Sequence, residues 1–148
     1  MRALIQRVSQ ASVSVEGQKI AHIGKGILVF LGITHGDTEK DTQYLIEKIT
    51  NLRIFEGESG KLDLSVRDLN GEILLVSQFT LYGTCDKGRR PDFAQAAPIE
   101  EAKATYEKAV ELLKNCGVKG ECGQFQAHMM VELINDGPVT LMIESRHS

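Results

Sequence analysis

The tightest constraint on the fold lies near the C-terminal end, where Gly137 and Pro138 stand side by side between two apolar runs. Met129 to Ile134 (MMVELI) carries a single charge before them, and Val139 to Ile143 (VTLMI) is rich in strand-forming residues after them. Glycine reaches backbone angles closed to other residues, while proline lacks an N–H and accepts a cis peptide for only about 0.5–1 kcal/mol. The pattern predicts two strands joined at Gly-Pro. Such a unit can aim carbonyl oxygens where no side chain blocks them; an ordinary strand-connecting turn satisfies the same pattern.

A chain of 148 residues fits a single domain, residues 1–148, with one main core. The 42% apolar and 25% charged composition is that of a globular protein, and no apolar run reaches the roughly 20 residues of a membrane span. The opening MRALIQRVSQASVSV alternates like a strand and lacks a secretory apolar core, so a cytoplasmic location without a membrane is expected. Cys85, Cys116 and Cys122 form no Cys-x-x-Cys pair, which argues for reduced, unligated thiols. A net charge of −3 excludes a generally basic nucleic-acid-coating surface. One local cluster remains, Lys87-Gly88-Arg89-Arg90, consistent with either a solvated loop or phosphate contacts.

In chain order, Leu4–Val8 and Ser12–Val15 read as two strands, followed by a turn at Glu16-Gly17-Gln18 and a strand over Lys19–Ile23. Ile27–Leu31 reads as a buried central strand. Thr38-x-x-Asp41 resembles a capping box, and Leu45, Ile49 and Leu52 follow at helical spacing. Asp63–Ser65 can pair back on Arg53–Phe55. Glu72–Leu81 reads as one long strand interrupted by Ser77, Gln78 and Thr80, whose polar side chains must face either a site or the solvent edge. Pro98 at a first helical position, with Ala102, Tyr106, Ala109, Val110 and Leu113 on one face, predicts a second helix ended by Gly117. Val118–Cys122 reads as a further strand. The tally is an α+β fold with a largely antiparallel sheet and two main helices.

Ser77 and Thr80 are hydroxyl nucleophile candidates, yet neither sits in a Gly-x-Ser-x-Gly elbow. His128 reads as a hydrogen-bonded structural residue, and His22, His35 and His147 fall in turns or tails. No metal-ligand spacing and no phosphate-binding glycine loop is present, so no cofactor and no metal are expected. What remains suits positioning and polarising a substrate better than moving protons.

Two motifs then carry a resemblance. Ser77-Gln78-Phe79-Thr80-Leu81-Tyr82-Gly83 and Asn135-x-Gly137-Pro138-Val139-Thr140 are similar to the motif pair of the bacterial D-aminoacyl-tRNA deacylases. Gln6-Arg7-Val8, Lys87-Gly88-x-Arg90-Pro91-x-Phe93 and the chain length extend the likeness over essentially the whole sequence. The resemblance implies a barrel-like fold and hydrolysis of the ester joining a D-amino acid to the 3′ end of tRNA, with glycyl-tRNA as a second substrate. It implies a homodimer in which a cis Gly137-Pro138 of one subunit enters the other's pocket and walls out L side chains. Catalysis would come from water and the adenosine 2′-hydroxyl, with Thr80 and Phe79 at the reacting centre through backbone N–H groups. Ser77, Gln78 and Met129 would line the pocket with Gly137 and Pro138, although Met129 fits core packing equally well. Arg7 would hold the Gly-Pro carbonyls, a surface arginine being the alternative, and Lys87, Arg89 and Arg90 would contact tRNA. A tRNA-end-binding module without turnover and a D-amino acid esterase with Thr80 as nucleophile are the competing functions.

Overall fold

The computed structural model describes residues 1–146; His147 lies outside the described residues. In chain order come β1 (Arg2–Val15), β2 (Gln18–Ile23), β3 (Gly26–Gly32), α1 (Glu39–Asn51), β4 (Phe55–Glu56), β5 (Leu62–Leu64) and β6 (Glu72–Ser77). A 3₁₀ turn at Phe79–Tyr82, α2 (Ile99–Lys114), β7 (Lys119–Cys122) and β8 (Met130–Glu144) complete it. The α+β expectation holds. The main sheet runs β2-β1-β3-β6-β7, with β8 on the remaining edge of β1, and β4 and β5 pair separately.

β1 is the spine, because it pairs antiparallel with three partners: β3 along its first half, β2 along its second, and β8 along nearly all of it. It is one strand where the sequence suggested two. The polar break at Ser9-Gln10 is a bulge, since Val8 faces Asn135 and Gln10 faces Ile134, leaving Ser9 unmatched. The pairs β3–β6 and β6–β7 are parallel, an addition to the largely antiparallel expectation. Their connections contain α1 and α2, as parallel neighbours require.

α1 begins where Thr38 N–H donates to Asp41 Oδ2 at 2.8 Å, and it buries Leu45, Ile46 and Ile49. Pro98 is the N-cap of α2 and not its first helical residue; Ala102, Tyr106, Ala109 and Leu113 face inward. The Tyr106 hydroxyl donates to the Leu75 carbonyl at 3.2 Å, which pins the helix to β6. The two helices cover one face of the sheet, over Ile5, Val29, Leu31, Ile73 and Leu75. The other face carries its own core, in which Val8, Val13, Ala21, Ile23, Leu28, Leu74 and Val76 meet. Residues of β2 thus pack against β6 across the sheet, so the sheet curls over on itself like a barrel. That is why Ile27–Leu31 is apolar at every position.

Candidate active site

A cavity of about 510 Å³ opens beyond the carboxyl ends of the parallel strands β3 and β6, the place where sheets with parallel strands generally bind ligands. Ser77 ends β6 at its wall, and the chain then leaves the strand. This corrects the long strand over Glu72–Leu81: Gln78, Phe79 and Thr80 belong to the tight turn. Gln78 N–H still bonds the Leu31 carbonyl at 2.8 Å, while Leu81 N–H and Gly83 N–H return to the Gln78 and Thr80 carbonyls at 3.2 and 2.9 Å. The first N–H groups of such a turn have no partner within it. Those of Phe79 and Thr80 are therefore available to a ligand.

The turn is seated by close packing. A Cβ on Gly32 would lie 2.9 Å from Leu81 Cβ and 3.2 Å from the Gln78 carbonyl oxygen, so only glycine lets β3 come this near. Arg2 closes the other end, donating from Nη1 to the Leu81 carbonyl at 3.0 Å with its guanidinium 4.5 Å from the Tyr82 ring centre. Burial, with the charge of Asp37 second, pushes the Tyr82 phenol up to about 12, so it stays neutral. The Thr80 hydroxyl accepts a hydrogen bond from the Gln78 side-chain amide. Thr80 is exposed, and Phe79, 55% exposed, stands on the cavity rim.

Ser77, Gln78, Phe79 and Met129 all line the cavity, so the structure brings together four of the residues singled out from sequence. Met129 also packs against the second core, which reconciles its two readings. His128, read as structural, is exposed on the cavity wall, and His22 lies in β2 instead of a turn. Sequence reasoning missed the far wall: Ala97 and Ile99 at the start of α2, and Phe125 to Ala127 before β8. These are common residues with no motif, and the one local mark, a positive φ of 62° at Gln126, is invisible in the sequence.

The Gly137-Pro138 corner lies elsewhere. Neither residue lines this cavity, and both are exposed on β8. The expected pair of strands is one strand: both flanks pair with β1, Thr140 facing Gln6 and Asn135 facing Val8. The single residue Arg7 therefore faces the four residues 136–139, which bow outward as a bulge. Their peptide bond between Gly137 and Pro138 is cis. Asn135 ties the bulge across its base, its Oδ1 accepting from Val139 N–H at 3.1 Å and its Nδ2 donating to Thr140 Oγ1 at 2.9 Å.

Arg7 is 6% exposed, so it is no surface residue. Its Nε donates to the Asp136 carbonyl and its Nη1 to the Ile54 carbonyl, both at 2.9 Å. The carbonyl it holds precedes the Gly-Pro pair instead of belonging to it. Gly137 has φ +137°, and a Cβ there would lie 2.9 Å from Val139 Cγ2 and 3.1 Å from Arg7 Nη2. The corner is shaped for glycine and gripped from behind by one cation.

The basic segment forms a loop closed by two hydrogen bonds of 2.8 Å between Thr84 and Asp92. Lys87, Arg89 and Arg90 are exposed on it. Among the described residues, no helix is long and apolar enough to cross a membrane, and no group of three His, Cys, Asp or Glu side chains could hold a metal.

Known proteins resemble this chain in sequence and in fold. A protein from Heliobacterium modesticaldum named D-aminoacyl-tRNA deacylase is 58% identical over 99% of this chain and 97% of its own. One of that name from Clostridioides difficile is 55% identical over 100% and 99%. Among solved structures, the c-Myc DNA unwinding element binding protein superposes with a TM-score of 0.92 at 47% identity, covering 99% of this chain and all of the other. A probable eukaryotic D-amino acid tRNA deacylase matches at a TM-score of 0.85 over 97% and 98%, and at 17% identity it supports the fold alone. The family model described as D-Tyr-tRNA(Tyr) deacylase spans residues 4–144, both motifs and Arg7 included, and this chain belongs to that family.

Proposed function

We propose that the protein hydrolyses the ester between a D-amino acid and the terminal adenosine of tRNA, acting in the cytoplasm as a homodimer. The observation that carries this reading is the full-length likeness, 55–58% identical, to proteins named for that activity. The cavity is consistent with it: Phe79, whose N–H has no partner within its turn, lines it with neutral side chains and an apolar wall, and Thr80 follows on the exposed turn just outside the lining.

In the proposed reaction a water attacks the ester carbonyl with help from the adenosine 2′-hydroxyl. The N–H groups of Phe79 and Thr80 stabilise the oxyanion, which fixed backbone dipoles do well in a water-poor site. In this reading Thr80 is not the nucleophile, which is supported by its hydroxyl being partnered by the amide of Gln78, a group that cannot accept a proton. Gly137 and Pro138 of the partner subunit supply the chiral wall. Their exposure and their absence from their own protomer's cavity support that placement. So does the apolar surface along β8, where Met130, Ile134 and Met142 are exposed like a face awaiting a partner. A backbone wall rejects every L side chain by overlap, whereas D side chains point away from it and glycine passes.

The deciding experiment is single-turnover hydrolysis of D-tyrosyl-tRNA, L-tyrosyl-tRNA and glycyl-tRNA. Rapid loss of the D and glycyl esters with the L ester intact is expected. Absence of D-ester hydrolysis by folded protein that still binds tRNA would favour a non-catalytic tRNA-end-binding module. Equal hydrolysis of D-tyrosyl esters with and without a ribose 2′-hydroxyl would favour an esterase using Thr80.

A further inference from the structure

Three large apolar side chains stand exposed around the cavity mouth: Ile99 and Phe79, which line it, and Phe93, which lies outside it. Phe79 and Phe93 meet edge to face, their ring centres 5.2 Å apart and their planes at 69°. Phe93 packs so closely on Gly83 that a Cβ there would lie 2.7 Å from its Cε1. It is fixed, yet 38% of it faces solvent. One residue before it, Asp92 closes the loop bearing Lys87, Arg89 and Arg90, none of which is ion-paired among the described residues. Asp92 Oδ1 also accepts from Ala94 N–H at 2.7 Å, which sets the backbone on the far side of the ring.

An immobilised, half-exposed aromatic ring beside unpaired cations is the combination that binds single-stranded nucleic acid, bases stacking on rings while cations follow the phosphates. Building on the proposed deacylase reading, we infer that Phe93 is a stacking platform for the unpaired base preceding the aminoacylated nucleotide. Arg89 and Arg90 then take the phosphates flanking that base. The path from the cavity across Phe79 to Phe93 and on to the basic loop follows the strand away from the reacting ester. A second protein subunit would match the apolar rings but not three unpaired cations. A polyanion matches both.

The platform is tested with the trinucleotide CCA carrying 2-aminopurine at its penultimate position, whose fluorescence reports stacking without any hydrolysis. Wild-type protein is expected to quench it, Phe93→Tyr to retain the quenching, and Phe93→Leu to lose it and weaken binding roughly 10-fold, within the range of one base–aromatic stack. With D-tyrosyl-tRNA, Phe93→Leu should raise KM by a similar factor while kcat holds. The loss should shrink on D-tyrosyl-adenosine, which lacks the penultimate base. Unquenched wild type, equal losses on both substrates, or dissociation of a dimer by Phe93→Leu would each overturn the platform. Quenching without any D-ester hydrolysis would keep the platform and remove the deacylase reading, so the two fail separately.

Discussion

Around the Phe79–Tyr82 turn the chain is held by packing, whereas at Gly137-Pro138 it is held by a few polar groups around one cation. The turn rests on Gly32, Leu81 and the buried Tyr82, with the helical layer behind it. The corner is a bulge on an edge strand, secured by Arg7 from inside and Asn135 across its neck. Packing fixes position in every direction but tolerates no added volume. Hydrogen bonds leave the outer surface free, as the proposed chiral wall requires.

The contrast is broken most severely at Arg7. Arg7→Met strands the Asp136 and Ile54 carbonyls, and bonds to a charged donor are worth about 1.5–3 kcal/mol each. Urea unfolding should show a loss of about 3 kcal/mol, and D-tyrosyl-tRNA turnover should fall roughly 100-fold. A loss below about 1 kcal/mol would show that the grip is not what holds the corner.

Gly32→Ala tests the packed side. Its methyl must displace the turn, so hydrolysis should drop by about 100-fold with the preference for D over L intact. Gly137→Ala tests the other side, at a φ that alanine resists. There the D-ester rate should fall roughly 10-fold and the D:L ratio should shrink with it. If both variants change the D:L ratio equally, the division of labour between turn and corner is wrong.

Thr80→Ala should reduce single-turnover hydrolysis by less than about 10-fold, since its backbone N–H survives; a loss near 10⁴-fold with binding retained would make the hydroxyl the nucleophile. The smallest effect is confined to alkaline pH. Burial, then Asp37, raises the Tyr82 phenol from 10.0 to about 12, so its contribution to stability is complete below 10 and disappears as pH rises through 12. Tyr82→Phe should flatten that part of the stability–pH curve, measured by circular dichroism.

Much of this framework is legible in the sequence because the signals are local. Thr38 and Asp41 mark the start of α1, and the 3.6-residue spacing of Ala102, Tyr106, Ala109 and Leu113 marks the buried face of α2. The errors came where a local signal met a non-local partner. Gly137-Pro138 normally ends a strand, but β1 accepts both flanks and makes them one. Gln78 to Thr80 look like strand residues, and only the Leu31 carbonyl above Gln78 and the bare backbone at Gly32 reveal that the chain turns there. The residues of the proposed site were reached through motif resemblance, and the cavity's far wall, lacking a motif, was not reached at all. Arg7 was found, but its partner was misassigned by one residue, because register across a bulge cannot be counted from sequence.

The pairing of β1 with β8 also has a bearing on the order of folding. Arg7 and Asp136 are 129 positions apart, and Gln6 and Thr140 are 134 apart, so the corner depends on contacts between opposite ends of the polypeptide. Contacts of such long sequence separation are slow to close and come late. The segment from β1 through β7 can collect its sheet and helices first, and the last strand then docks along the open edge of the first. A chain emerging from the ribosome would thus hold the β3, β6 and α2 walls of its cavity before its corner, and hydrogen exchange during refolding should protect Leu28 and Leu74 ahead of Leu133 and Leu141.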